Sequence, residues 1–212
     1  MDTRPVLVRA APWIAVAVCA ALVAALGARY RDLSRAYERL RLWAILPHAG
    51  LEVPAFSTTT LDGAPVTIGA AAAPATRQVL FILRTTCPYC RATLPVWERI
   101  ADSLRRVTTL KIELYAVSLD PAEPTRAYAL ANHLTYPVLT FPERRLADLY
   151  RAVATPGTMV LGDGGRVLYA RTGLLDSAAV LDSVFRAATT LPPRADAVSS
   201  LTGLPAAGSR GR

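Results

Sequence analysis

The sequence predicts an α/β domain with a central mixed sheet and helices on both faces, preceded by an N-terminal transmembrane helix. Three observations support this prediction. Residues 78–83 form a continuous apolar run, as in a strand that is covered on both faces. Apolar runs and helical periodicity then alternate along the chain, which is typical of a parallel or mixed sheet. Residues 10–28 carry no charged side chain.

The uncharged segment 10–28 is long enough to cross a membrane. At about 1.5 Å per residue its length approaches the thickness of a bilayer core. It predicts a signal anchor within residues 1–28, while a cleaved signal peptide ending near residue 28 remains the alternative. Cys19 lies inside this segment and is interpreted as a small apolar residue of the helix. Residues 29–46 predict an amphipathic helix at the membrane surface, with arginine side chains reaching the headgroups.

The charge distribution argues against a nucleic-acid partner. The formal net charge is +8, but residues 47–190 carry 14 basic and 12 acidic side chains. The excess therefore lies in the two ends of the chain. Arginine residues beside an apolar run are better explained by contact with membrane headgroups than by nucleic acid.

Residues 47–190 predict one folded domain, in which local patterns indicate each element. A turn sequence at 61–63 predicts a hairpin over 56–68, and helical periodicity predicts a helix over 88–107 with a kink at Pro95. The other predicted elements are a loop at 70–75, strands at 110–117 and 137–141, helices at 124–133, 143–151 and 176–188, a hairpin of strands 157–161 and 166–170 around the glycine-rich turn 162–165, and a disordered tail at 191–212.

The motif Cys87-Pro88-Tyr89-Cys90 lies where the apolar strand meets the helix. A cysteine at a helix N-terminus meets free backbone N–H groups and the positive end of the helix dipole, which favour the thiolate. Its partner one turn later can resolve a mixed disulfide. A zinc site is the alternative for such a pair, but zinc needs about four ligands and the sequence offers no second pair. The motif therefore predicts a redox-active disulfide, Cys87–Cys90, with no metal and no other cofactor.

With these features the chain resembles the TlpA/ResA-like group of membrane-anchored thioredoxin-fold proteins over about residues 51–186. The resemblance rests on the CPYC motif, on Leu94-Pro95 after it, and on Ala-Thr-Pro-Gly-Thr at 154–158. It implies a thioredoxin-like fold and a thiol-disulfide oxidoreductase, with a helix-strand insertion near 121–142.

The resemblance also implies a substrate-binding surface around the cysteines. In these proteins the proline that matches Pro156 is cis and lies against the disulfide. The residue before it, here Thr155, offers backbone hydrogen bonds to a bound substrate chain. Pro88 and Tyr89, between the two cysteines, are expected to contribute to the same surface.

Three positions depart from the pattern of these proteins. Thioredoxin has a buried acid six residues before its first cysteine and a tryptophan just before it, where this chain has Phe81 and Thr86. ResA-type proteins carry a glutamate three residues after the second cysteine, where this chain has Thr93. The usual carboxylate for the proton of the resolving thiol is missing, which leaves the proton route and the direction of electron flow open.

The sequence thus predicts an enzyme that exchanges disulfides with exported proteins and with an upstream electron donor or acceptor. A peroxiredoxin-like peroxide reductase is one alternative, but that class has threonine where this chain has Arg84. A copper-binding assembly factor is another, but it would want wider cysteine spacing and a partner histidine, for which His133 is a poor candidate. Arg84 and Arg91 either add positive potential at Cys87 or are solvated.

The expected location is the cell membrane, with a single pass and the catalytic domain on the periplasmic side. A membrane-tethered disulfide exchanger is most useful in an oxidising compartment. The positive-inside rule predicts the opposite orientation. More arginines follow segment 10–28 than precede it, which would place the domain in the cytoplasm.

Overall fold

The computed structural model describes residues 4–69 and 76–190. The chain divides into two compact units, Met1–Leu46 and Pro47–Arg212. The predicted loop at 70–75 and the predicted tail at 191–212 lie outside the described residues.

The first unit contains one continuous helix, α1 (Arg4–Ile45). It runs through both the segment 10–28 and the predicted helix at 29–46, since no proline separates them and Gly27 alone costs a helix only about 1 kcal/mol. The large apolar side chains described between residues 16 and 26 are exposed. In the part of the chain that the structure describes, no helix combines the length and apolar character that a membrane crossing requires.

The second unit begins with an antiparallel hairpin of β1 (Phe56–Thr59) and β2 (Pro65–Ile68), as predicted. The sheet strands follow as β3 (Thr76–Leu83), β4 (Lys111–Ser118), β5 (Val138–Thr140), β6 (Gly157–Leu161) and β7 (Val167–Thr172). They form a five-stranded sheet in the order β5-β4-β3-β6-β7. Strands β3, β4 and β5 are parallel, whereas β6 and β7 are antiparallel to their neighbours. The prediction of a mixed sheet is confirmed.

The helices of this unit are α2 (Pro88–Arg105), α3 (Ala122–Ala131), α4 (Arg144–Leu149) and α5 (Ala178–Thr189). Each lies within a few residues of its predicted position. Helix α3 and strand β5 occupy the segment 121–142, where the resemblance implies a helix and a strand.

Strand β3 lies at the centre of the sheet, and all eight of its residues are buried. Because successive side chains of a strand point to opposite faces, they contribute to two cores. Val79, Phe81 and Leu83, which point to the same face of the sheet, pack in one apolar cluster with side chains of α2, α3 and α5. Leu80 and Ile82 pack in a second cluster with the β1–β2 hairpin and Tyr150, which follows α4. Helices therefore lie on both faces, as the sequence predicts.

The glycine-rich turn at 162–165 joins β6 to β7 and supports the segment before β1. The carbonyl of Gly165 accepts a hydrogen bond from the backbone N–H of Val53 at 3.0 Å. Gly164 and Gly165 have positive φ angles of 64° and 78°. At Gly165 a Cβ atom would collide with the carbonyl oxygens of Val53 and Gly69, whereas at Gly164 it would meet open space.

Candidate active site

Cys87 is the N-cap residue of α2, four residues after the end of β3. Pro88 occupies the start of the helix, where its missing N–H leaves no hydrogen bond unmade. The Cys87 sulfur accepts a hydrogen bond from the backbone N–H of Cys90 at 3.3 Å. Its thiol donates to the carbonyl oxygen of Thr155, with 3.7 Å between the two atoms. The start of the helix therefore directs an N–H group at the sulfur, as expected for a cysteine in this position.

The two cysteines differ in burial and in acidity. Cys87 is partly exposed, whereas Cys90 is completely buried, and both are free thiols. Burial acts to raise the pKa of Cys87, but hydrogen bonds that favour the thiolate, the largest of them with Cys90, outweigh it and the pKa lies below the ordinary value. Burial raises the pKa of Cys90 to about 11. Near neutral pH, Cys87 is therefore the cysteine with the larger thiolate fraction.

The Thr155–Pro156 peptide bond is cis, as the resemblance implies. Pro156 is buried and Thr155 is half-buried. Together with Tyr89, whose side chain is largely exposed, and with residues 171–174 and Asp176, they line a groove of about 340 Å³. Three of the four predicted substrate-binding residues therefore line one groove. The groove lies next to Cys87, because Thr155 also contacts the Cys87 sulfur. Pro88 is exposed and is not among the residues that line this groove.

Two of the three positions that depart from the pattern, Phe81 and Thr93, are buried, whereas Thr86 is exposed. Phe81 stacks on Trp97 with ring centroids 5.1 Å apart. The indole N–H of Trp97 donates to the Thr158 hydroxyl at 2.9 Å. The Thr93 hydroxyl donates to the carbonyl oxygen of Tyr89 at 2.8 Å, inside α2. Neither Phe81 nor Thr93 brings a carboxylate to the surroundings of Cys90.

Asp120 is a residue of this site that the sequence analysis missed. It follows β4, and its carboxylate accepts hydrogen bonds from the backbone N–H of Thr85 at 2.7 Å and from the Thr85 hydroxyl at 2.8 Å. It also pairs with the guanidinium of Arg84 at 3.1 Å. Asp120 therefore holds the loop that leads to Cys87. Its position just after a predicted strand could have indicated this, because the carboxyl ends of parallel strands meet at one edge of the sheet.

The sequence analysis also considered a second arginine, as a source of positive potential, and a histidine, as a metal ligand. Neither side chain is buried in the site. Arg91 is exposed, and His133 is an exposed residue just after α3. Within residues 4–69 and 76–190, no three His, Cys, Asp or Glu side chains are grouped so that they could hold a metal ion.

A pair of cysteines one helical turn apart, at the end of the central strand and beside the carbonyl that precedes a cis-proline, is the site of a thioredoxin-like protein. Residues 49–170 match the AhpC/TSA family, and because this is more than half of the chain, the protein belongs to that family. The match and the fold together confirm the thioredoxin-like class that the resemblance implies.

Two curated relatives are methylamine utilization proteins named MauD. The protein from Methylobacillus flagellatus is 40% identical over 55 residues, which are 26% of this chain and 27% of the relative. The protein from Methylophilus methylotrophus is 24% identical over 139 residues, which are 66% of this chain and 62% of the relative. The chain thus spans less than two thirds of the length of either relative.

Among solved structures, a Chlorobium tepidum protein described as a thiol:disulfide interchange protein DsbE is similar in fold. It superposes with a TM-score of 0.57 at 17% identity, and the match covers 66% of this chain and 98% of that protein. At this level of identity the similarity shows the shared fold.

Proposed function

We propose that Cys87 is the nucleophile and Cys90 the resolving thiol of an oxidoreductase that exchanges disulfides with exported proteins while α1 attaches it to a membrane. The observation that carries the proposed roles is that the pKa values of the two thiols are shifted in opposite directions. The pKa of Cys87 is lowered and its sulfur is partly exposed, whereas Cys90 is buried and its pKa is raised. A nucleophile must meet its partner as a thiolate, while a resolving thiol is needed only after the mixed disulfide has formed.

The proposed reaction has two exchange steps. The Cys87 thiolate attacks one sulfur of a substrate disulfide; a bond forms between Cys87 and that sulfur, and the other substrate sulfur leaves with the electron pair of the broken bond. Cys90 then attacks the Cys87 sulfur, so the Cys87–Cys90 disulfide forms and the second substrate sulfur leaves as a thiol. The substrate is reduced by two electrons and the protein is oxidised by two. In the opposite direction, the same steps oxidise substrate thiols.

The groove beside Tyr89, Thr155 and Pro156 is the proposed binding site for the substrate chain. Its apolar and backbone groups suit an extended peptide, for which main-chain hydrogen bonds supply affinity and side-chain pockets supply selectivity. Support comes from the distance of 3.7 Å between the Cys87 sulfur and the Thr155 carbonyl oxygen, since a peptide held along Thr155 would bring its disulfide to Cys87.

Trapping tests the roles and identifies the partner together. Cys90→Ser should accumulate mixed disulfides with partner proteins through Cys87, and Cys87→Ser should accumulate none. If Cys87→Ser traps partners instead, the roles are reversed. The names of the MauD relatives make proteins of methylamine utilization candidates for the trapped partner.

Activity assays separate the proposed function from its alternatives. The domain should reduce insulin with dithiothreitol as the electron source and should not consume hydrogen peroxide at a comparable rate. A peroxide reductase of the kind considered above would want threonine at the position of Arg84, whose side chain instead pairs with Asp120. Rapid peroxide consumption without insulin reduction would favour the peroxide reductase, and stable retention of Cu(I) would favour the assembly factor.

Attachment to a membrane rests on the N-terminal sequence. Residues 10–28 have no charged side chain, and α1 is helical throughout them. Exposed apolar side chains on one helix are a usual sign of a membrane or a partner surface. A cysteine introduced in place of Ser209 tests the proposed periplasmic orientation: a membrane-impermeant maleimide should label it in intact cells. Labelling only after lysis would place the domain in the cytoplasm, and recovery of the whole chain in the soluble fraction would refute the attachment.

A further inference from the structure

Arg171 brings a positive charge into the groove beside Cys87. It lines the same cavity of about 340 Å³ as Thr155 and Pro156. It belongs to β7, where its register partner on β6 is Thr158, three residues after Thr155 in the sequence. The Thr155 carbonyl oxygen lies 3.7 Å from the Cys87 sulfur. One cavity therefore joins the guanidinium of Arg171 to the place where a substrate chain would meet Cys87.

Two contacts hold the Arg171 guanidinium at the groove without using all of its donors. Its Nε–H donates to the carbonyl oxygen of Leu174 at 3.4 Å, and its Nη2 pairs with the Asp176 carboxylate at 3.6 Å. Within the part of the chain that the structure describes, Arg171 makes no other hydrogen bond or ion pair. A guanidinium has five N–H donors in one plane. Since the side chain is 39% exposed, the remaining donors are open to a ligand in the groove.

Asp176 is a weak competitor for these donors. Its side chain is 68% exposed, and the 3.6 Å between its oxygen and Nη2 of Arg171 exceeds the usual length of a hydrogen bond. Exposed ion pairs contribute little, because water screens the charges. A carboxylate on a bound chain could instead meet the free N–H groups in a planar two-point contact, which is the geometry that arginine favours.

We propose that Arg171 selects protein substrates that carry an acidic side chain close to the reactive cysteine, by binding the carboxylate of that side chain in the groove. The inference rests on the proposed function of Cys87 and of the groove, and it names the class of substrate. Because three residues of extended chain span about 10 Å, the acidic residue should lie about two to four residues from the substrate cysteine. Arg171 does not touch the reacting sulfur atoms. Its loss should therefore change the choice of substrate and not the chemistry of Cys87.

Synthetic peptides with a single cysteine test this selection. The cysteine is joined to 2-thiopyridine as a mixed disulfide, and a glutamate is placed two, three or four residues before or after it in a neutral chain. A matched peptide carries glutamine at the same position. The Cys87 thiolate attacks the peptide sulfur and forms a bond with it, while 2-thiopyridone leaves with the electron pair of the broken disulfide and takes up a proton. Release of 2-thiopyridone gives the rate constant of the reduced full-length protein for each peptide.

The measured quantity is the ratio of the rate constants for the glutamate and glutamine peptides. Dithiothreitol, which has no groove, supplies the intrinsic ratio for each pair of peptides. For at least one position the wild-type protein should exceed that intrinsic ratio about fivefold, which is the upper range for an ion pair that stays partly exposed. Arg171→Gln should remove the preference, and Arg171→Glu should replace it with a preference for a lysine peptide. Asp176→Asn should enlarge the preference, because the competing carboxylate is gone.

Arg91 supplies the matched control. It is an exposed arginine in the first turn of α2, the helix that carries Cys90, and it is not among the residues that line the groove. Arg91→Gln removes the same charge as Arg171→Gln but should leave the ratio at its wild-type value. A change in the reactivity of Cys87 does not affect this comparison, because both peptides of a pair react with the same thiolate.

The other outcomes are equally decisive. A wild-type ratio that equals the dithiothreitol ratio at every position overturns the inference. A preference that persists in full in Arg171→Gln, or that Asp176→Asn lowers, also overturns it. Equal loss of preference in Arg171→Gln and Arg91→Gln does the same, because the general positive potential near Cys87 would then be the cause. A wild-type protein that releases no 2-thiopyridone from any peptide refutes the proposed role of Cys87, and the inference fails with it.

Discussion

Replacement of Asp120 by alanine should destabilise the loop that carries Cys87. The two hydrogen bonds from Thr85 to the Asp120 carboxylate measure 2.7 and 2.8 Å, and the Asp120 side chain is only 15% exposed. A hydrogen bond to a charged group contributes about 1.5–3 kcal/mol. The ion pair with Arg84 adds at most about 1 kcal/mol, because half of the Arg84 side chain is exposed. We expect Asp120→Ala to lower the free energy of unfolding by about 3 kcal/mol.

Asp120→Asn should cost about half as much, because its side-chain oxygen can still accept the N–H of Thr85 while the ion pair is lost. Urea denaturation measures both variants. Asp102→Ala is the matched control, since it removes the partner of an exposed ion pair with Arg105 and should cost less than about 0.5 kcal/mol. If Asp120→Ala is no more destabilising than Asp102→Ala, the carboxylate does not hold the loop.

The same variants should also affect the reaction of Cys87. The backbone N–H of Cys87 donates to the carbonyl oxygen of Arg84 at 3.2 Å, within the loop that Asp120 holds. A loosened loop should therefore slow the attack of Cys87 on 5,5′-dithiobis(2-nitrobenzoate) in Asp120→Ala, measured as the release of the first equivalent of coloured thiolate. Asp102→Ala should react at the wild-type rate.

Acidity and backbone geometry lead to further expectations. Iodoacetamide at pH 7 should modify Cys87 and spare Cys90, because the pKa of the first is lowered and that of the second is raised; peptide mapping that finds equal modification would contradict this. The stability of the reduced protein should fall as pH rises from about 9 to about 11, because Cys90 ionises in the unfolded chain at its ordinary pKa of 9.0 and in the folded protein only near 11. Cys90→Ala should flatten this part of the stability profile, and an unchanged slope would assign the loss to other groups. Gly165→Ala should destabilise the protein by more than about 3 kcal/mol, because the new Cβ would collide with the Val53 carbonyl. Gly164→Ala should cost about 1–2 kcal/mol, because only its positive φ is unfavourable for alanine. Equal shifts in melting temperature for the two variants would refute the reasoning.

The elements of the catalytic domain could be predicted because their signals are local. The apolar run at 78–83 became β3, and the helical periodicity after Cys87 became α2. The turn sequences at 61–63 and 162–165 lie within the two observed hairpins. The separate helix predicted at 29–46 is part of α1, since a change in amphipathic pattern does not itself interrupt a helix. The membrane attachment and the periplasmic location stay predictions.

The sequence by itself determined that two cysteines lie at the start of a helix after a buried strand. The strand, the start of the helix and the spacing of the cysteines are all encoded by residues that are adjacent in the chain. Only the tertiary structure decided what surrounds them. Thr155 contacts the Cys87 sulfur across 68 positions of the chain, and Asp120 holds Thr85 across 35. Tyr128, on α3, packs in the apolar cluster that contains Cys90. Such contacts depend on the order of strands in the sheet and on the face that each helix covers, and these result from packing of the whole domain, which no local pattern of residues specifies.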